Sequence, residues 1–201
     1  MTVKGLYMSF PAISLRATVM PRATALSNAA LIVSGTIFLS ASAQIAIPVP
    51  GSPVPVTGQT LGVLLVGTTY GASLGLATFA TYLLAGIAGA PVFAGASFGV
   101  EKITGATGGY LLGMLVSTYV LGLLAHKRFD QKFLTALPSM LIGTALTFSF
   151  GLFWLHQFTG KDWAWTFQAG LAPFIIGEAL KIIIAGTSLP ILWRFVNRKH
   201  V

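Results

Sequence analysis

Cysteine is absent from this 201-residue chain. That removes disulfides, thiolate nucleophiles and thiolate metal sites. Charge is scarce too: 8% of residues are Asp, Glu, Lys or Arg, against 55% hydrophobic. A soluble domain carries about 25% charged residues. Four acidic and twelve basic side chains cannot coat a water-facing surface of this size, which argues against a soluble enzyme. The scarcity is also local. No Asp, Glu, Lys, Arg or His occurs in the 78 residues from 23 to 100. A helical span takes about 20 apolar residues, so this stretch alone has room for three. The class is an all-α integral membrane protein built as one domain over 1–201. The net charge of +8 does not indicate nucleic acid, because the basic residues sit in small groups between apolar runs, as membrane topology requires.

What is present divides the chain into spans. The first apolar run covers 23–47 and ends at Pro48. Four prolines in the eleven residues 48–58 cannot continue a helix, so this segment is a loop. The next run, 59–90, is either one long tilted helix or two short ones, with Gly67, Gly71 and Gly75 permitting a turn. Further runs cover 106–125, 133–158 and 168–193, separated by basic or polar loops at 126–132 and 159–163. The positive-inside rule separates the alternatives. With two helices in 59–90 there are six spans. Lys4, Arg16, Arg22, Lys127, Arg128, Lys132, Arg194, Arg198 and Lys199 then share one side, against Lys102 and Lys161 on the other. With one helix the basic residues divide almost evenly. The sequence therefore predicts six transmembrane helices with both termini cytoplasmic, residues 1–22 as a cytoplasmic segment and 48–58 as an outer loop. Helices two and three are then short, at about 15 residues each. Trp154, Trp163, Trp165 and Trp193 suit interfacial belts, although core filling accounts equally well for Trp154. Ala41-Ser42-Ala43 before Gln44 imitates a signal-peptide cleavage site, but the apolar run and its 22-residue leader are too long for that signature.

Glu178 and Lys181 are the only charged residues deep inside a predicted span, and their spacing of three places them on one helical face. They stand about 15–20 Å along a helix beginning near Gln168. An intramembrane charge is a functional candidate by default, and a structural ion pair is the competing reading. Lys donates only and ionised Glu accepts only, so together they suit a ligand with an anionic or carbonyl end and N–H donors. Gln59 and Thr60 add an amide and a hydroxyl at the start of helix two, and Gly108 allows close approach of backbone at the start of helix four. No phosphate-binding loop pattern occurs, so the chain does not itself hydrolyse ATP. No His/Asp/Glu cluster has metal-ligand spacing, and no catalytic set is evident. Ala25, Ala29 and Ala30 present small residues on helix one, where internal packing and an external partner both fit and packing is the simpler reading.

Several segments in this order resemble one family: Gln44-Ile45-Ala46-Ile47-Pro48, Pro53-Val54-Pro55-Val56-Thr57-Gly58-Gln59-Thr60, Tyr82 with 89–95, Thr107-Gly108-Gly109-Tyr110, and Gly177-Glu178-Ala179-Leu180-Lys181. The chain resembles the BioY family, the biotin-binding S components of energy-coupling factor transporters, over about 24–195. The resemblance implies a bacterial inner-membrane protein with a six-helix bundle. It implies a lid formed by loop 48–58, with Pro53, Val54, Pro55 and Thr57, closing over biotin. It also implies docking through Ala25, Ala29 and Ala30 onto a transmembrane coupling subunit, with two ATPase subunits using ATP. No cofactor is implied, since biotin is cargo. Glu178 and Lys181 carry over as the ligand pair, with Glu standing where the family usually has Asp. Ala106 stands where the family often has proline. Biotin carries a ureido ring, an apolar sulfur ring and a carboxylate tail. Glu178 could accept from ureido N–H groups, Lys181 could donate to the ureido oxygen or the carboxylate, and Tyr82, Phe93 and Tyr110 could pack the rings. The rival reading is a stand-alone ion- or proton-coupled vitamin carrier. It needs an internal repeat or a titratable chain, and neither is clear.

Overall fold

The computed structural model describes residues 14–198, so Lys4, Lys199 and most of the predicted 1–22 segment lie outside the described residues. A short helix, α1 (Leu15–Val19), precedes α2 (Ala25–Gln44). Thr24 caps α2 by accepting from the Ser27 amide, as an N-cap hydroxyl should. Only Gly35, Leu39 and Ala43 of α2 are buried, one residue per turn, and this stripe faces the rest of the bundle. Leu26, Val33 and Ile37 point outward. Ala25, Ala29 and Ala30 are exposed as well, so internal packing is not what their small size serves.

Pro48 ends the chain's first straight path. Strand β1 (Ala46–Ile47) pairs antiparallel with β2 (Val56–Thr57), Ala46 opposite Thr57 and Ile47 opposite Val56. The prolines between them lack the N–H a ladder needs, so the ribbon stays two residues long and 48–55 folds back as a loop.

The run 59–90 is two helices, α3 (Gln59–Tyr70) and α4 (Ala72–Ile87). The break falls at Gly71, whose φ of +82° favours glycine. At 1.5 Å per residue these helices span roughly 18 and 24 Å. So short a helix as α3 is tolerated because protein surrounds it: it packs against α2, α4, α6 (Gly108–His126), α7 (Phe133–Thr159) and α9 (Ile175–Arg198), and most of its residues are buried. Between α4 and α6 come a 3-10 turn at Ala94–Ala96 and the short α5 (Val100–Thr104).

The last predicted helix, 168–193, differs in the structure. Asp162 accepts from the Trp165 amide at 2.7 Å and starts α8 (Trp163–Gly170) five residues early. The chain then bends at Leu171, passes a 3-10 turn at Ala172–Phe174 and enters α9. Pro173 has no N–H to continue an α-helical ladder. Among the described residues four helical stretches are long and apolar enough to cross a membrane: 25–44, 108–126, 133–159 and, across the bend, 163–197. The main core gathers Leu39, Leu64, Phe79, Tyr82, Met114, Leu121 and Leu189. A second cluster of Val54, Tyr110, Phe148, Leu152, Leu155 and Phe174 lies under loop 48–55.

Trp193 does not sit in an interfacial belt. It is 3% exposed, and its indole N–H donates to Asp130 Oδ2 at 2.6 Å. Asp130 lies in the loop between α6 and α7, and burial pushes its carboxyl up from 3.8 to about 6. The folded state thus holds a proton that the unfolded chain releases. The stability this group contributes is present below about pH 4 and is lost as pH rises through about 6. A shift of this size corresponds to about 2–3 kcal/mol. Asp130→Asn keeps an acceptor for Trp193 and removes the titration. Its thermal midpoint in detergent is therefore expected to gain on the parent's between pH 4 and 7. Midpoints that stay parallel across that range would refute this account.

Candidate functional site

A cavity opens at the end of the bundle that carries loop 48–58, with about 710 Å³ of space counting its open mouth. Of the residues predicted from sequence, Pro53, Val54, Pro55, Thr57, Gln59, Thr60, Phe93, Tyr110 and Glu178 line it. Tyr82, Gly108 and Lys181 do not.

Loop 48–58 is seated by Val54, which is 5% exposed and packs in the cluster with Tyr110, Phe148 and Phe174. Tyr110 meets Phe148 edge-on at 5.6 Å and stacks on Phe174 at 6.3 Å. Its hydroxyl donates to the Gly170 carbonyl at 2.7 Å, which fixes the ring against the bend before α9. Phe93, 3% exposed, forms another part of the wall. Tyr82 supports it from behind, edge-on at 5.4 Å, with its own hydroxyl donating to the Val92 carbonyl at 3.3 Å.

The deep polar patch joins α3 to α9. Lys181 Nζ donates to the Thr57 carbonyl at 2.5 Å, to Thr60 Oγ1 at 2.8 Å and to Glu178 Oε1 at 2.7 Å. Thr60 Oγ1 donates to the same Glu178 oxygen at 2.7 Å. An ammonium has three donors, and all three are used. Lys181 therefore clasps the end of the loop to α9 from behind the cavity wall. Glu178 is not mid-helix as expected. The bend at 171–174 places it in the first turn of α9, where the helix dipole favours a carboxylate. Two of the lining residues, Glu178 and Gln59, each carry a buried side-chain atom without a partner, Glu178 Oε2 and Gln59 Nε2. One is an acceptor and the other a donor, and a buried group left unpaired costs about 1–3 kcal/mol. A ligand presenting an N–H beside a C=O would satisfy both.

Gly108 serves packing. A Cβ there would lie 1.8 Å from the Ile103 carbonyl oxygen, so α5 can fold back over the start of α6 only if residue 108 has no side chain. Gly108→Ala is expected to cost about 1–3 kcal/mol, read as a lower thermal midpoint in detergent. An unchanged midpoint would contradict the close approach.

Further wall residues are Phe174, which shares the helical face of Glu178, Ala94 and Thr107, which stand within the motif segments, and Ser97, Lys102, Leu111, Met114 and Phe148, which the sequence did not single out. Leu111 and Met114 continue the face of Tyr110 at helical spacing, which was a usable signal. Phe148 carried none, because α7 is apolar on every side. Gln44 was also overlooked as a positioning residue. Its amide nitrogen donates to the Phe93 carbonyl at 3.1 Å and its oxygen accepts from the Ala96 amide at 2.8 Å, tying the end of α2 to the turn that carries Phe93.

Comparison with known proteins follows the same line. The sequence model of the BioY family matches residues 16–198. The chain is 35% identical to the biotin transporter BioY2 of Lactococcus lactis subsp. cremoris over 161 residues, 80% of this chain and 87% of that one. It is 35% identical to the biotin transporter BioY of Thermotoga maritima over 139 residues, 69% of this chain and 80% of that one. Its fold is similar to the crystal structure of the S-component for biotin from an ECF-type ABC transporter, with a TM-score of 0.75 and 23% identity, covering 85% of this chain and 90% of that one.

Proposed function

This chain belongs to the BioY family, and we propose that it is the biotin-binding membrane subunit of an energy-coupling factor transporter. It is a transport protein and not an enzyme. The observation that carries the ligand assignment is that two residues lining the cavity, Glu178 and Gln59, each keep a buried polar atom without a protein partner, Glu178 Oε2 and Gln59 Nε2. A cyclic urea offers N–H donors flanking a carbonyl. In this reading Glu178 Oε2 accepts from a ureido N–H, Gln59 Nε2 donates to the ureido oxygen, and Phe93, Tyr110, Phe148 and Phe174 pack the apolar ring. Lys181 acts by holding Glu178 and the loop exit in place.

The finer topology belongs to the same reading. Six spans with both termini cytoplasmic are supported by the division of charge: Arg16, Arg22, Lys127, Arg128, Lys132 and Arg194 all flank the bundle end away from the cavity. The cavity then faces outward in a bacterial inner membrane, and loop 48–58 is its lid. Biotin enters from outside, the lid closes, and a transmembrane coupling subunit with two ATPase subunits drives release inward. Ala25, Ala29 and Ala30, exposed and small, suit close approach of that coupling subunit's helices.

Calorimetry on the purified chain with biotin, thiamin and riboflavin tests the reading. Tight binding of biotin alone is expected. Preference for either other vitamin, or no binding of biotin, would overturn it.

A further inference from the structure

We propose that Lys102, at the cavity mouth, receives the carboxylate of the ligand's tail and makes the protein select the free acid over uncharged conjugates. This rests on the biotin reading above and orients the ligand within it. Lys102 is the only cation among the residues that line the cavity. It is exposed, whereas Glu178, Gln59 and Thr60 are buried, so the wall runs from an anionic, amide-bearing deep end to a cationic mouth. Lys181 cannot neutralise a carboxylate without abandoning one of its three protein acceptors. Among the described residues the Lys102 side chain makes no hydrogen bond or ion pair.

Its backbone, by contrast, is held. The Lys102 amide donates to the Gly99 carbonyl at 3.3 Å, and Thr107 Oγ1 donates to the Lys102 carbonyl at 3.0 Å. Trp154 Nε1 secures the same turn through the Gly105 carbonyl at 2.9 Å. The other hydroxyls of the mouth are spent on protein: Thr107 on Lys102, and Ser97 on the Ala94 carbonyl at 2.8 Å. A held backbone carrying an unpartnered ammonium keeps a cation at the cavity's exposed edge. A molecule with a urea at one end and an anion at the other aligns with both ends of this wall, and reversing it would set its carboxylate beside Glu178.

Equilibrium binding of biotin and of biotinamide to the full chain in nanodiscs tests this. The parent is expected to bind the acid about three- to tenfold more tightly than the amide, between a strong exposed ion pair and a weak charge-assisted hydrogen bond. The gap should shrink in high salt, which screens exposed charges. Lys102→Gln should bind both ligands alike, and Lys102→Arg should keep the gap. A parent that binds biotin but does not discriminate, or a gap that survives in Lys102→Gln, overturns the subsite and leaves the biotin reading standing. A parent that binds neither ligand overturns both.

Discussion

Lys181→Ala is expected to weaken biotin binding by about two orders of magnitude or more, while Lys161→Ala leaves it unchanged. Lys161 is exposed on the loop after α7 and contributes no side chain to the cavity. Lys181 holds three acceptors at once, on the loop exit, on α3 and on α9. Its side chain is 12% exposed and that of Glu178 is 7% exposed. Removing one partner of a buried pair costs about 3–5 kcal/mol, because the remaining charge is left uncompensated. At roughly 1.4 kcal/mol per decade, that is a large loss if it falls on the binding-competent state. Calorimetry reads the affinity. Size-exclusion and helical content establish that the variant is folded. The double variant Glu178→Ala with Lys181→Ala leaves no unpaired charge, so it should recover stability without recovering affinity. Parent-like affinity in Lys181→Ala would refute the clasp.

Val54→Asp is expected to speed biotin release by about tenfold or more with little change in the association rate. Val54 is the point at which the loop is anchored, buried among Tyr110, Phe148 and Phe174. An unpaired carboxylate in that cluster would lift the loop, since an isolated charge is not retained in apolar surroundings. A lid that no longer seats cannot hold its ligand, and affinity differences between related complexes reside mostly in dissociation. Ile47→Asp is the control, because Ile47 is 63% exposed on the ribbon that carries the loop. Equal release rates for parent and Val54→Asp, measured by chase with unlabelled biotin, would show that the loop does not gate the cavity.

Glu178 and Lys181 stand out in the sequence because so little else in the apolar runs is charged, and the proline-dense segment before Gln59 marks itself as a loop. Their roles were less legible. Spacing puts Glu178 and Lys181 on one face, but it does not say that one lines the cavity while the other stands behind it. That depends on α3 delivering Thr60 between them. Tyr82 shows the same limit. An aromatic at the right motif position fits a ligand wall, yet it is wholly buried and acts through Phe93. Pro173 marks the bend at 171–174 locally, but that the bend sets Glu178 in the first turn of α9 is a property of the folded chain.

By itself, then, the sequence determined that the chain is helical and membrane-embedded, that 59–90 turns back on itself, and which charged pair is chemically exceptional. Those properties follow from composition and from local backbone rules: apolar length, the absence of N–H in proline, and the positive φ open to Gly71. Only the tertiary structure decided which residues line the cavity and which of their polar atoms are already spent. A hydrogen-bond vacancy such as Glu178 Oε2 or Gln59 Nε2 is a remainder, left after α3, α9 and the loop have taken what they need from each other. It depends on contacts between residues more than a hundred positions apart, such as Thr60 with Glu178, and no local pattern encodes it.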